Sequence, residues 1–469
     1  MDLSDLTAVD VLAAFKRGDI RVSEYVDVLL ERCRRYRDLN AFIYQDPDGI
    51  RVAAVRADQV RDTGESLGPL HGLPILLKDN IDTSEMPTTA GTPALKNHRP
   101  SKNAPIVQTL IEAGAIIFGK ANMHELAHGI TNNNKAFGPV RNPYDPSKIP
   151  GGSSGGCGAA VGARLVPVGI GTDTGGSVRI PAALCGIVGF RPTVGGYPQK
   201  GIVPISHTRD TAGPMTRSVA DAALIDRVIT GNTKDIRPAK LPDLRFGVPR
   251  SPFFKHIDLA VSDVMESVLD RLQSFGVELI EVDLTDVAEL NRISDFAIAF
   301  YEVTEDLEQY LREHEIGIDI HAIAAQIASP DVRVIYERLL GKRGISKETY
   351  LEALHTHRRR LQDLYQQCFT KFRLSALIFP TTPLPAIPIG EDDTTVLNGE
   401  TVSTFATFIR NTSPASIAGI PGLSLPAGTS PEGLPIGMEI EGPFGNDRQL
   451  LAIGMAIEEA EGHYSTRMI

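Results

Sequence analysis

One stretch of the 469-residue sequence, residues 151–196, holds 14 of the chain's 43 glycines. A glycine inside a regular helix or strand costs roughly 0.5–1 kcal/mol relative to alanine, so this density is not that of an ordinary element. A flexible linker is also disfavoured, because apolar runs such as LVPVGI and IPAALCGIVGF interrupt the glycines and would be buried. Since glycine lets backbone N–H groups approach a ligand closely, the pattern predicts a catalytic loop.

Within this stretch, the sequence TDTGGS places several successive backbone N–H groups beside the hydroxyl of Ser177. Donors arranged in this way stabilise the oxyanion that forms when a hydroxyl attacks a carbonyl carbon. We therefore predict that the N–H groups of Thr174, Gly175, Gly176 and Ser177 form an oxyanion hole.

The motif GGSSGG, followed by GTDTGGSVRIPAALCGIVGFRPT, resembles the signature of the amidase signature family of serine hydrolases. The resemblance extends from about His71 to the C-terminal helix. It implies an α/β amidase signature fold, in which helices cover both faces of a large, mixed and twisted β-sheet. It also implies a Ser–cisSer–Lys triad, with Ser177 as nucleophile, Ser153 as bridging serine and Lys78 as base, without metal or cofactor.

The chemistry of amide hydrolysis agrees with these assignments. The attacking hydroxyl needs a base, and residues 151–193 contain no histidine, so a lysine would have to serve in its neutral form. Lys78 follows the apolar run LPILL, which is typical of a buried strand, and burial lowers the pKa of a lysine. Ser153 would relay the proton. We expect Asp173 and Arg179 to brace the loop by a charge-assisted hydrogen bond.

Strands and helices alternate along the sequence, which favours an α/β class. We predict a single domain over residues 1–469, with a helical N-terminal layer at 1–65, a catalytic core at 66–230 and a helical cap over the substrate pocket at 286–370. Helices are predicted at 7–16, 23–36, 105–113, 218–230, 258–275 and 447–459 from their apolar spacing.

Composition limits the classes of function. Hydrophobic residues make up 42% and charged residues 22% of the chain, as in folded globular proteins, and the net charge of −11 argues against a nucleic-acid surface. The four cysteines lack the spacing of a zinc site, and no signal peptide or membrane span is visible. We expect a cytoplasmic enzyme that acts on a small-molecule amide, binds neither nucleic acid nor membrane, and is compatible with a homodimer.

Three short motifs point to other chemistries. GAIIFGKA is close to a P-loop, but Ala121 replaces the serine or threonine that would hold Mg²⁺. GSSGG matches the nucleophile elbow around Ser154, but three prolines occur where the preceding strand should be. His124, Glu125 and His128 form H-E-x-x-H, the pattern of zinc proteases, without a telling third ligand downstream. We expect this segment to form a wall of the substrate pocket.

Within the family, the segments ANMHELAHGITNNN, RPTVGGYP and NTSPASIAGIPGLSLP most resemble indoleacetamide hydrolases and their mandelamide-hydrolysing relatives. This resemblance implies a small aryl or arylalkyl amide as substrate, with Met123, His128 and Gly152 in the substrate pocket. Because the chain has no tryptophan, the aromatic side chains of that pocket must be Phe or Tyr. The alternatives are anilides, carbamates or esters, the amidase subunit of a glutamyl-tRNA amidotransferase, and a zinc hydrolase.

Overall fold

The structure, a computed structural model, describes residues 2–341 and 344–462. The helices of the N-terminal half are α1 (Ala8–Arg17), α2 (Val22–Arg35), α3 (Pro47–Asp62), α4 (Pro105–Glu112), α5 (Gly155–Gly162), α6 (Arg179–Leu184) and α7 (Val219–Thr230). The later helices are α8 (Arg250–Phe253), α9 (Leu259–Ser274), α10 (Asp286–Glu313), α11 (Ile320–Ala324), α12 (Pro330–Leu339), α13 (Lys347–Glu352), α14 (Arg358–Phe372), α15 (Thr404–Ile409), α16 (Ser413–Ala418) and α17 (Asp447–Glu461).

The strands are β1 (Phe42–Tyr44), β2 (Pro74–Lys78), β3 (Ile116–Ala121), β4 (Val168–Asp173), β5 (Val188–Arg191), β6 (Thr211–Thr216), β7 (Arg245–Val248), β8 (Glu278–Glu281), β9 (Ala376–Pro380), β10 (Thr394–Leu397), β11 (Glu400–Ser403), β12 (Gly422–Thr429) and β13 (Pro435–Glu441). Eleven of them form one sheet in the order β1-β3-β2-β4-β6-β5-β12-β13-β9-β7-β8. Its pairs are partly parallel and partly antiparallel. The predicted α/β class with a large mixed sheet is confirmed.

Strands β2, β3 and β4 are parallel neighbours, and β2 and β4 are buried along their whole length. Burial on both faces explains why β2 reads as a continuous apolar run rather than an alternating one. Since the carboxyl ends of parallel strands meet at one edge of a sheet, Lys78 at the end of β2 lies near Asp173 at the end of β4. This edge carries the candidate active site.

The N-terminal helices begin and end where their sequence predicts. The Thr7 side chain accepts a hydrogen bond from the Asp10 N–H at the start of α1, and Gly18 ends the helix with a φ of 78°. The apolar faces of α1 and α2 pack onto the main core. The sequence did not reveal β1, which pairs antiparallel with β3 inside the expected helical layer.

Helices α10–α14 occupy most of the region that was predicted to be a helical cap. They pack with α16 and with the loop that follows β2, where the Tyr310 hydroxyl donates to Asp82 Oδ1 at 2.8 Å. Although α10 has 28 residues, no helix in the described ranges combines the length and the apolar content needed to cross a membrane.

A two-stranded hairpin, β10–β11, lies outside the main sheet and leads into α15. Its turn is Asn398-Gly399, with φ values of 52° and 83°. Two central residues with positive φ are typical of the type I′ turn that Asn-Gly favours. This dipeptide was the sequence signal that could have predicted the hairpin.

Candidate active site

Lys78 ends β2 and is fully buried. Its Nζ donates hydrogen bonds to Ser153 Oγ and to Thr172 Oγ1, both at 2.8 Å, and lies 3.4 Å from the Thr172 carbonyl oxygen. Thr172 belongs to β4, so the parallel pairing of β2 and β4 holds it beside the lysine. The sequence prediction missed Thr172, although it stands next to Asp173 in the glycine-rich block.

Burial lowers the pKa of Lys78 from 10.5 to about 7, although Cys157, Asp173 and Asp210 act in the opposite direction. The hydrogen-bond partners of Nζ among the described residues are all uncharged. A buried ammonium group without a counterion is unfavourable, so this site favours the neutral amine. The amine can then accept a proton near neutral pH.

Lys120, on the neighbouring strand β3, is also fully buried but has a different environment. Its Nζ lies 3.3 Å from Asp79 Oδ1 and donates to Thr88 Oγ1 at 2.8 Å. Burial lowers the pKa of Lys120 as well, but the Asp79 carboxylate favours its ammonium form. Of these two buried lysines, Lys78 is the one whose surroundings suit a base.

Ser153 is fully buried and receives the hydrogen bond from Lys78. The peptide bond between Gly152 and Ser153 is cis. On the other side, the His124 backbone N–H donates to the Ser153 carbonyl oxygen at 3.2 Å. The serine is thus held from two directions, with its hydroxyl against the lysine.

The next residue, Ser154, connects this segment to Ser177. Its backbone N–H donates to the Ser177 carbonyl oxygen at 3.2 Å, and its hydroxyl donates to the Thr172 carbonyl oxygen at 3.2 Å. The hydroxyl of Ser154 therefore bonds to the backbone of β4 and is buried. This geometry gives Ser154 a structural role, in agreement with the sequence context that argued against a nucleophile elbow.

Ser177 lies between β4 and α6 and is half-buried, whereas Lys78 and Ser153 are fully buried. Its hydroxyl has no hydrogen-bond partner within the described residues, so it is free to meet a substrate. Because Ser154 follows Ser153 directly and bonds to the Ser177 backbone, the three predicted triad residues occupy one site.

The four predicted oxyanion donors are not equivalent. The Gly176 N–H already donates to Asp173 Oδ1 at 2.8 Å, whereas those of Gly175 and Ser177 have no acceptor among residues 2–341 and 344–462. Gly176 has a φ of 139°, and a Cβ there would clash with the Thr412 hydroxyl, so the position requires glycine. Of the four predicted donors, the Gly176 N–H is therefore engaged, whereas those of Thr174, Gly175 and Ser177 stay available within the described residues.

The Asp173 side chain binds the loop between β4 and α6 to two buried arginines. Its carboxylate accepts hydrogen bonds from Arg179 Nε at 3.1 Å and from Arg191 Nη1 at 3.0 Å, and all three side chains are fully buried. Burial alone would raise the pKa of Asp173, but the two guanidinium groups outweigh it and hold that pKa below its ordinary value. The expected bond between Asp173 and Arg179 is present; the sequence did not predict the part taken by Arg191.

The H-E-x-x-H segment does not have the geometry of a zinc site. Residues 125–127 form a 3₁₀ turn in which Leu126 has a φ of 53°, so the two histidines do not lie one α-helical turn apart. The Glu125 carboxylate is engaged by the Thr92 hydroxyl at 2.8 Å and by the Ser329 N–H at 2.7 Å. Glu125 therefore connects the segment to the start of α12, which Ser329 precedes, instead of facing open space.

The two histidines of this segment are also engaged. His124 Nδ1 accepts a hydrogen bond from the Asn132 N–H at 3.1 Å, so its other ring nitrogen, 2.9 Å from Asp331 Oδ2, carries the proton. His128 packs edge-on against Tyr336, and burial lowers the pKa of His128 to about 3. Within the described residues, the side chains close enough together to hold a metal ion are His207, Glu302 and Asp306.

Two of the predicted pocket residues adjoin the Ser153 segment: Gly152 precedes Ser153, and Met123 precedes His124, whose N–H donates to the Ser153 carbonyl oxygen. Met123 is fully buried and belongs to a small apolar cluster with Ile205. Gly152 packs against the backbone of residues 130–132, where an added Cβ would lie 3.0 Å from the Ile130 carbonyl carbon. Direct contact of Met123, His128 or Gly152 with substrate stays a prediction.

An apolar surface that the sequence did not reveal lies beside the loop between β4 and α6, which contains Gly175 and Ser177. It comprises Phe296 and Phe300 of α10 and Phe405 and Ile409 of α15. A Cβ on Gly175 would lie 2.8 Å from Ile409 Cδ1, and Phe405 is one helical turn before Ile409. The Phe296 ring lies 6.2 Å from that of Phe405 and 4.9 Å from that of Phe300, and Phe296 is 39% exposed. The surface thus reaches from solvent to Gly175.

Comparison with known proteins gives consistent matches. Residues 24–451 match the family model described as Amidase. The chain is 45% identical to indoleacetamide hydrolase of Agrobacterium vitis, covering 96% of each chain, and 40% identical to mandelamide hydrolase of Pseudomonas putida, covering 99% of this chain and 93% of the relative. The X-ray structure of peptide amidase from Stenotrophomonas maltophilia is similar with a TM-score of 0.86 at 29% identity, covering 99% of each chain.

The pKa of Lys78 predicts the pH dependence of turnover. If catalysis requires the neutral amine, kcat/KM rises with pH through about 7 and levels off above it. We expect Lys78→Ala to be far slower and to lose this acidic limb. Steady-state kinetics from about pH 5 to 10 measure both profiles.

A histidine acting as the base would also produce an acidic limb, so His124→Gln is the matched control. That variant should retain the limb. An acidic limb that persists in Lys78→Ala and disappears in His124→Gln would assign the base to the histidine.

The hydrogen bonds of His124 and Glu125 predict that activity needs no zinc. Replacing both His124 and His128 by glutamine should leave kcat/KM within about tenfold, since these side chains pack and support loops instead of activating water. Elemental analysis of the purified enzyme should find no stoichiometric zinc, and chelators should not inhibit it. Stoichiometric zinc together with complete loss of activity in the double variant would contradict this reading.

Proposed function

The chain belongs to the amidase family and is an amide hydrolase, and from this premise we propose that it hydrolyses small aryl or arylalkyl amides, such as indole-3-acetamide, through an acyl-enzyme on Ser177. The observation that carries the proposal is the 2.8 Å hydrogen bond between the fully buried Lys78 and Ser153, beside the half-buried Ser177. A buried amine without a counterion beside a serine hydroxyl can act as a base, and the half-buried Ser177 would be the nucleophile.

Burial explains why two serines are needed. Lys78 lies too deep to meet substrate, whereas Ser177 reaches the surface, so a proton must pass between them through a third group. Ser153 can accept the proton of Ser177 while giving its own proton to Lys78 Nζ. No net charge develops on Ser153 when both transfers occur together.

In the first half of the reaction, Ser177 Oγ attacks the amide carbonyl carbon as its proton passes to Lys78. The carbonyl oxygen becomes an oxyanion, which accepts hydrogen bonds from the N–H groups of Gly175 and Ser177. The C–N bond then breaks while the proton returns from Lys78 through Ser153 to the nitrogen. A primary amide releases ammonia and leaves an acyl ester on Ser177.

In the second half, water replaces the amine. Lys78, again neutral, takes a proton from water through Ser153, and the resulting hydroxide attacks the acyl ester. The same N–H groups stabilise the second oxyanion. Collapse of this intermediate returns the proton to Ser177 and releases the carboxylic acid.

Two observations support an aromatic substrate. Indoleacetamide and mandelamide, which the names of two relatives mention, are both primary amides with an aromatic ring near the carbonyl group. The partly exposed surface of Phe296, Phe405 and Ile409 beside Gly175 supplies apolar contacts for such a ring. Phe296 and Phe405 are therefore our candidates for the pocket aromatics that a chain without tryptophan must supply from Phe or Tyr.

Ser177→Ala should lower kcat by about 10³-fold or more, since it removes the nucleophile. The half-buried hydroxyl has no partner in the described structure, so the substitution should change stability by less than about 0.5 kcal/mol. Ser153→Ala should be less damaging, because a water molecule can partly replace the relay. Release of ammonia from indole-3-acetamide measures turnover.

A serine-directed phosphonate gives a matched control. Ser154→Ala should still be labelled at residue 177, whereas Ser177→Ala should not be labelled, as read by peptide mass spectrometry. If Ser177→Ala kept more than a few per cent of wild-type activity, the assignment of the nucleophile would be wrong.

The substrate class is tested on the purified chain alone with arylacetamides, aliphatic amides, anilides, carbamates and esters. We expect arylacetamides to exceed acetamide in kcat/KM by about tenfold or more, because the ring adds buried apolar area. Preference for anilides or carbamates would move the enzyme to another substrate class. Turnover that appears only with partner subunits and transfer RNA would favour an amidotransferase subunit.

A further inference from the structure

The orientation of the oxyanion donors depends on which groups hold the neighbouring carbonyl oxygens. In a trans peptide unit, the C=O of one residue and the N–H of the next point in opposite directions. Anchoring the carbonyl oxygens of Thr174, Gly175 and Gly176 therefore fixes the N–H directions of Gly175, Gly176 and Ser177 in turn. Each of these three carbonyl oxygens has a donor in the structure.

Two of the anchors belong to the framework of the loop. The Ile180 N–H, in α6, donates to the Gly176 carbonyl oxygen at 2.8 Å and so orients the Ser177 N–H. The Thr412 hydroxyl donates to the Gly175 carbonyl oxygen at 2.7 Å, which turns the Gly176 N–H away from Thr412. That N–H is the one bound to Asp173.

The third anchor is a distant side chain. Arg209 Nε donates to the Thr174 carbonyl oxygen at 3.1 Å and thereby sets the direction of the Gly175 N–H. Gly175 and Gly176 follow each other, and glycine imposes little backbone preference of its own. The peptide unit between Thr174 and Gly175 therefore relies on this external donor.

Arg209 is itself held at several points and is 1% exposed. Its Nη1 donates to Asp295 Oδ1 at 2.6 Å in α10, and its Nη2 donates to Ser413 Oγ at 3.3 Å. Its carbonyl oxygen accepts from Arg191 Nη2 at 2.8 Å, and Arg191 also binds Asp173. The guanidinium plane is thus fixed between the cap and the nucleophile loop.

We propose that Arg209 is a positioning residue for amide hydrolysis, which aims the Gly175 N–H at the substrate oxyanion while Asp295 of α10 holds its guanidinium group. The inference rests on the proposed function, since it presupposes attack by Ser177. Through the buried ion pair between Arg209 and Asp295, the position of α10 would also affect how well the transition state is stabilised.

Arg209→Lys is the most informative variant. The lysine keeps a positive charge opposite Asp295, but it lacks the planar guanidinium group that binds Asp295 and the Thr174 carbonyl oxygen at the same time. Misdirecting one oxyanion donor should lower kcat by about 100-fold. KM should stay within about threefold, since an oxyanion hole acts on the transition state and not on the bound amide. Asp295→Asn retains an acceptor and should have a smaller effect.

Arg358→Lys is the matched control. Arg358 donates from Nε to the Ile417 carbonyl oxygen at 2.7 Å and from Nη2 to the Thr208 carbonyl oxygen at 2.9 Å, without contacting residues 173–177. Its kcat should stay within about threefold of wild type. Thermal unfolding of each variant verifies folding, and Asp295→Asn tests the inference if Arg209→Lys does not fold.

A transition-state analogue separates positioning from general structural support. Benzyl trifluoromethyl ketone forms a tetrahedral adduct with a serine, and its oxygen requires the oxyanion donors. For Arg209→Lys, its inhibition constant should rise in parallel with KM/kcat, while the inhibition constant of phenylacetate stays unchanged. An unchanged ketone affinity despite a lower kcat, or an unchanged kcat, would overturn the inference. Failure of the proposed function would instead appear as activity in Ser177→Ala.

Discussion

A lysine amine that is buried without a counterion is the constraint on which the site depends. Lys78 can be neutral there because β2 and β4 place Thr172 and Ser153 around its Nζ and no carboxylate forms an ion pair with it in the described structure. Lys120, one strand away, shows the contrasting environment, in which Asp79 lies 3.3 Å from the amine. The difference between a structural lysine and a candidate base is therefore set by the neighbouring side chains, since both are equally buried.

The glycine-rich block combines close packing with strong ionic anchors. Glycine at position 176 permits a backbone that a Cβ would prevent, and Asp173 binds the loop through Arg179 and Arg191. Arg179 also binds Glu439 at 2.9 Å, but burial raises the pKa of Glu439 to about 7. Arg179 thus has two buried acidic neighbours, Asp173 and Glu439. A loop with little intrinsic stiffness gains a fixed shape from these buried charges.

The sequence predicted those features that are local. The apolar run before Lys78 gave a buried strand, and apolar spacing gave α1, α7, α9 and α17 near their observed bounds. The Asp173–Arg179 bond joins residues six apart in one motif, so it too was predictable. The H-E-x-x-H match had no structural basis, because positive φ at Leu126 breaks the helix that the motif needs.

The features that escaped prediction are contacts between distant segments. Arg209 meets Asp295, which lies 86 positions further along the chain, and Phe405 of α15 meets Phe296 of α10. Hydrophobic periodicity and short motifs do not predict which distant residues come into contact, because those contacts depend on how whole helices and strands pack together. The sequence could not distinguish the four predicted oxyanion donors for the same reason, since only the folded loop shows that Asp173 engages the Gly176 N–H.

The central claim is that Lys78 is an uncharged amine at working pH, and NMR of the enzyme with ¹³Cε-labelled lysine tests it most directly. The Lys78 resonance, identified by its absence from Lys78→Ala, should titrate with a midpoint near 7, well below the ordinary lysine value. A resonance that keeps the chemical shift of an ammonium group up to about pH 9 would contradict the account.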